Sequence, residues 1–100
     1  MLLQRPISAT IELPELTREA ETSLDKGWIV TVFNNDYNTY EEVIVILMIA
    51  TGCSMEEAEM ETWEIDHLGK SVVHHGAEEE CRNVADVIAT IGIRVEVTKE

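Results

Sequence analysis

Asn34-Asn35-Asp36-Tyr37-Asn38-Thr39-Tyr40-Glu41-Glu42 is the stretch that decides the fold, because an apolar strand hands over to a helix across it. Upstream, Trp28-Ile29-Val30-Thr31-Val32-Phe33 alternates bulky β-formers as a strand does. The Asn and Asp residues that follow have short polar side chains that bond to nearby backbone and favour a turn. Thr39, with Glu42 three positions later, reads as a capping box opening the apolar run Val43 to Ile49. Side-chain amides and a carboxylate are thereby held at the mouth of a rigid element, a setting suited to a small charged group.

Working outward, the first helix is expected over about Tyr40 to Thr51, closed by Gly52. Ser54 and Glu57 read as a second capping box. The helix that they open carries Ala58, Thr62, Ile65 and Leu68 to a stop at Gly69, so a two-residue connection joins an antiparallel helix pair. Ser71-Val72-Val73-His74 reads as a strand. Glu78, Glu79 and Glu80 suit the first turn of a third helix, where the macrodipole favours acids. Its stripe Cys81, Val84, Val87, Ile88 and Ile91 keeps three-and-four spacing up to Gly92. Ile93-Arg94-Val95-Glu96-Val97 then alternates strictly, aliphatic against charged. The order β-α-α-β-α-β predicts an α+β domain with three helices packed on a three-stranded sheet. Residues 1–25 mix Pro6, Pro14, acids and isolated aliphatics without a sustained period, which predicts a flexible N-terminal arm ahead of one core domain over 26–100.

A chain of 100 residues buries a modest core, which argues against a deep enzymatic cleft. Its formal net charge of -13 repels nucleic acid and anionic lipid, so neither is an expected partner. Cationic groups are favoured, and a free α-ammonium is one. Cys53 and Cys81 have neither Cys-x-x-Cys spacing nor a disulfide framework, which fits a reducing cytoplasm. No signal peptide or membrane span is expected, the longest strongly apolar run being Val43 to Ala50. His74 and His75 are adjacent on a strand and so point to opposite faces. With Cys53 in a helix connection, no metal site is expected. Neither cysteine has a context that suggests a paired histidine, and no Gly-rich phosphate loop occurs. No cofactor is expected and no catalytic residue is assigned. A small metal-dependent or thiol enzyme would have to use His74, His75, Cys53 or Cys81.

Two motifs together make the chain resemble the ClpS family, small adaptors that recognise N-terminal destabilising residues and deliver their owners to an ATP-dependent Clp protease. That family usually reads Asn-Asp-Asp-Tyr-Thr-Pro-Met-Glu-Phe-Val after a strand, and later Val-His-x-x-Gly-Lys. Here the segments are Asn34 to Val43 and Ile65-Asp66-His67-Leu68-Gly69-Lys70, with the spacing between them kept without a gap. The resemblance covers roughly Trp28 to the C-terminus and implies an antiparallel sheet. It implies that Asn34, Asn35, Asp36 and Asp66 surround the α-amino group of a bound peptide. Asn35 stands where the family has an acid, and Asp66 where it has the histidine that holds the ammonium. The apolar pocket implied for the first side chain comprises Asn38, Tyr40, Val43, Thr62, Ile65 and Ile93. Tyr40 and Thr62 replace residues that are commonly methionine. Glu78 with Arg82 or Asn83 maps to the surface that docks on the unfoldase. The implied partners are proteins beginning with Phe, Tyr, Trp or Leu and the N-terminal domain of an AAA+ Clp unfoldase, which would engage the arm during handover. An alternative is a divergent relative that docks on the unfoldase but has altered or lost N-terminal recognition.

Overall fold

The strand read from Trp28-Ile29-Val30-Thr31-Val32-Phe33 is β1 (Trp28–Phe33), the centre of the sheet in a computed structural model that describes residues 27–100. The expected arm and residue 26 lie outside the described residues. The remaining elements are α1 (Tyr40–Thr51), α2 (Met55–Leu68), β2 (Lys70–Gly76), α3 (Glu78–Ala89) and β3 (Val95–Lys99). The sheet order is β2-β1-β3, and both ladders are antiparallel. Val30 and Val32, at alternate positions of β1, are fully buried. They share one core with Leu47 of α1, Ala58 of α2, and Cys81 and Ile88 of α3. All three helices thus pack against the sheet around a single apolar cluster.

The helix ends follow their local chemistry. Thr39 Oγ1 accepts from the Glu42 N–H at 3.1 Å, and a Glu42 carboxylate oxygen accepts from the Thr39 N–H at 3.0 Å, which is the reciprocal box expected. Gly52 closes α1 in the left-handed conformation, φ 75°, donating to the Met48 carbonyl. At α2, Ser54 Oγ accepts from the Glu57 N–H, but the return bond from the Glu57 side chain is absent among the described residues, so this cap is one-sided. The helix connection is three residues, not two. Gly52 serves as the C-cap of α1 and Ser54 as the N-cap of α2, and Cys53 spans between them.

Three boundaries differ from the sequence pattern, and pairing explains each. β2 runs to Gly76 because it matches all of β1, from Phe33 opposite Lys70 to Trp28 opposite Gly76, and it accommodates Val73 as an extra residue. α3 stops at Ala89, ahead of Gly92. Its last turn tightens through bonds from Thr90 to Val87, Ile91 to Ile88 and Gly92 to Ala89, before Gly92 reverses the chain at φ 84°. β3 begins at Val95, not Ile93, because the ladder with β1 starts with Val32 opposite Val95. Ile93 precedes the strand and is buried at 4% exposure.

Candidate functional site

Three stretches far apart in sequence meet at one cleft: the β1–α1 loop with the start of α1, the C-terminal half of α2, and the turn before β3. Asn34, Asn35, Asn38, Tyr40, Val43, Thr62, Ile65, Asp66 and Ile93 line it, joined by Thr39, which the sequence marked only as a helix cap. Asp36 is exposed and off the lining.

The loop is held by its asparagines. Asn35 Oδ1 accepts from the N–H groups of Tyr37 and Asn38, both at 3.1 Å, which closes an Asx turn. Its amide nitrogen donates to Asn38 Oδ1 at 2.8 Å. Both acceptor lone pairs of Asn35 are therefore committed to the loop, and the residue's part at the cleft is to set loop shape. Asn38 donates in turn to Glu42 Oε1 and, across the fold, to the Ile91 carbonyl at 2.9 Å. That last bond ties the loop to the turn carrying Ile93. No local sequence signal marks it. Glu42, with its acidity increased by bonds from the Thr39 backbone and the Asn38 side chain, stays ionised as the anionic cap.

At the mouth, the Asn34 N–H donates to the Gly69 carbonyl at 2.9 Å, and its side-chain amide reaches the Asp66 carbonyl at 3.5 Å. This clamps the loop to the end of α2. The Asp66 carboxylate is half exposed and lies 3.5 Å from His67 Nδ1. The Tyr40 phenol is held above its usual pKa, first by partial desolvation and then by the negative charge of Asp66. Acceptors and negative charge thus converge at the rim. The interior is apolar: Val43, Ile65 and Ile93 are buried, and the Thr62 hydroxyl donates back to the Ala58 carbonyl at 2.7 Å. With its hydroxyl satisfied within the helix, Thr62 behaves as an apolar lining residue. The cleft is narrow and partly open, with about 30 Å³ of space for water centres, room for no more than a water or two. A phenyl or leucyl side chain is much larger than a water, so bulky guests require the cleft to widen. Tyr40, 42% exposed at the rim, is the lining side chain best placed to swing away.

The other residues singled out lie elsewhere. Arg82 donates through two of its nitrogens to Glu78 one turn earlier, and Asn83 is exposed beside them on α3. His74 meets Glu80 at 2.7 Å, while His75 is exposed near Glu100. Among the described residues, no three His, Cys, Asp or Glu side chains come together in a metal-binding arrangement. Cys81 is fully buried, and burial followed by the charge of Glu80 pushes its thiol upward in pKa. That is the reverse of an activated nucleophile. The sequence pattern also gave no sign that Glu61 would be half-buried with Oε1 unpartnered, its carboxyl pushed up to about 7 by burial and by Glu57 and Glu64. Nor did it show that Trp63 would stay 48% exposed.

Fold and cleft together define a small α+β domain whose cleft has acceptors at the rim and an apolar interior. The family described as ATP-dependent Clp protease adaptor protein ClpS matches residues 23–94, and the chain belongs to that family. It is 29% identical over 73 residues to the E3 ubiquitin-protein ligase ubr-1 of Caenorhabditis elegans; this covers 73% of the chain but 3% of that much longer protein. Among solved structures, Agrobacterium tumefaciens ClpS2 bound to L-phenylalaninamide superposes with a TM-score of 0.71 at 20% identity, covering 76% of this chain and 99% of that one. At that identity the likeness establishes the shared fold. Among the described residues, no helix is long and apolar enough to cross a membrane.

Proposed function

We propose that this chain is a non-catalytic adaptor that holds the free N-terminal residue of a substrate protein and passes that protein to an AAA+ Clp unfoldase and its protease in the cytoplasm. The observation that carries the reading is the single cleft assembled from the 34–43, 62–66 and 93 regions, with acceptors at the mouth and aliphatic groups inside. An α-ammonium has three N–H donors and a positive charge. The Asp66 carboxylate, the Asn34 side-chain oxygen and nearby backbone carbonyls supply the matching acceptors, while Asn35 and Asn38 hold the loop that presents them. Asp36 sits outside the lining and adds long-range negative charge. Val43, Thr62, Ile65 and Ile93 take the first side chain once Tyr40 turns outward. Phe, Tyr, Trp and Leu are the first residues proposed, in keeping with the ligand-bound state of the similar ClpS2 structure.

Delivery is assigned to other surfaces. Glu78, Arg82 and Asn83 form an exposed polar patch on α3 suited to docking on the unfoldase N-terminal domain. Residues 1–25 are proposed as the arm that the unfoldase engages. A panel of fluorescent peptides differing only in their first residue tests the recognition half of the reading. Preference for free Phe, Tyr, Trp or Leu supports it, and indifference to the first residue refutes it. The small cavity favours one second reading, a divergent adaptor that docks on the unfoldase with altered first-residue preference. The same panel separates the two, since that protein selects other first residues or none while still binding the unfoldase domain.

A further inference from the structure

Resting on the N-terminal reading above, we infer that the stacked Trp63–His67 pair on α2 extends the cleft and reads the residues that follow the first one, favouring arginine there. Trp63 is one of only two tryptophans in the chain, yet it is 48% exposed, beside Met60 at 65%. Large apolar groups left in water next to a binding cleft mark contact surface. Its ring is also held in place: the His67 ring stacks on it with centroids 4.3 Å apart and planes 15° from parallel, and His67 Nδ1 is bonded to the Trp63 carbonyl at 3.0 Å. An indole fixed in this way offers a platform without having to be ordered on binding.

Its position is continuous with the cleft. On a helix, residues three or four apart share a flank, so Trp63 neighbours Asp66 at the rim and Glu59 one turn back. Asp66 lines the cleft together with Tyr40 and stands three residues from Trp63 on α2, so it belongs both to the rim and to the flank that carries the indole. A peptide whose ammonium sits at Asn34 and Asp66 leaves the cleft past this rim, and an extended chain advances about 3.3 Å per residue. One helical turn is about 5.4 Å, within reach of the side chains at the second and third positions. The flank there carries the indole, stacked on one side by His67, with Glu59 one turn back and Asp66 one turn on, which suits a planar cation that stacks and pairs at once. Glutamate at the same positions meets like charge.

The test uses the full chain and fluorescent peptides that begin with free Phe and carry Arg, Gln or Glu at the second and third positions. Arg is expected to bind more tightly than Glu, and Trp63→Ala to weaken the Arg peptide about two- to fivefold, the size of an exposed cation–π contact. The Gln peptide should change less, and Trp63→Phe should restore part of the loss. In a Trp28→Phe background, the Arg peptide should perturb Trp63 emission. An Arg-to-Glu preference unchanged by Trp63→Ala, in protein whose melting curve matches wild type, overturns the inference and leaves the first-residue reading intact. Equal binding of N-acetylated and free Phe-Arg peptides overturns that parent reading as well.

Discussion

Replacing Asp66 with alanine removes the carboxylate at the cleft mouth and leaves its backbone carbonyl in place. A charge-assisted hydrogen bond is worth about 1.5 to 3 kcal/mol where water is largely excluded. Asp66 is 51% exposed, so solvent screens it, and the structure supports the lower end, about 1 to 1.5 kcal/mol. That corresponds to roughly a five- to twelvefold rise in Kd for free-amine peptides. Fluorescence polarisation measures it, and the mutant should also lose part of the salt sensitivity of binding, because a screened charge pair has been removed. Stability should not fall: Asp66 sits in the last turn of α2, where a carboxylate meets the unfavourable end of the macrodipole, so the melting temperature stays level or rises slightly. A structural check needs no ligand. Loss of the Asp66 charge should lower the Tyr40 phenol pKa only part of the way, since partial desolvation is the larger cause of its elevation. Peptide affinity within twofold of wild type would refute the reasoning and leave Asn34 and backbone carbonyls as the acceptors that hold the ammonium.

Glu61 provides a pH test of the fold: burial, then the charges of Glu57 and Glu64, push its carboxyl from its ordinary 4.5 up to about 7 in the folded chain. Between those values the folded state binds more protons than the unfolded one, so stability falls as pH rises through the window. Glu61→Gln should flatten that slope and stabilise the domain at pH 8 by about 1 kcal/mol after allowance for solvent screening, as read by urea unfolding at pH 5 and 8. Tyr40→Ala enlarges the cleft and should tighten Trp-first peptides by about threefold or more; weaker binding would show that the ring is a wall and not a lid. Asn38→Ala removes bonds to Asn35, Glu42 and the Ile91 carbonyl. It should cost about 1 to 3 kcal/mol in urea unfolding and weaken peptide binding as the loop loosens.

Local chemistry made the element order readable. The alternation of Trp28 to Phe33, the Thr39–Glu42 box and the glycines at 52 and 69 each act within a few residues, and each does so in the structure. Strand limits were less legible because the partner sets them: β2 extends to Gly76 and β3 starts at Val95 by virtue of what β1 offers. The cleft residues were legible through the family resemblance, and nine of the ten named for the rim and pocket do line one space. What they do there was not legible. Asn35 spends both lone pairs on its own loop, and Asn38 bonds to a carbonyl 53 positions away. Such pairings depend on tertiary geometry that neither composition nor period encodes. The exposure of Trp63 was hidden for a related reason, since an aromatic residue in a helix is ordinarily read as core.

The most direct test of the account is the affinity of one Phe-first peptide measured with a free and with an acetylated N-terminus. Acetylation removes the positive charge and two of the three N–H donors while leaving the side chain unchanged. The account predicts saturable binding of the free peptide and loss of binding on acetylation, with Leu-first peptides behaving in the same way. Equal affinity for the two forms would contradict it, because the acceptors at Asn34 and Asp66 would then have no part in recognition.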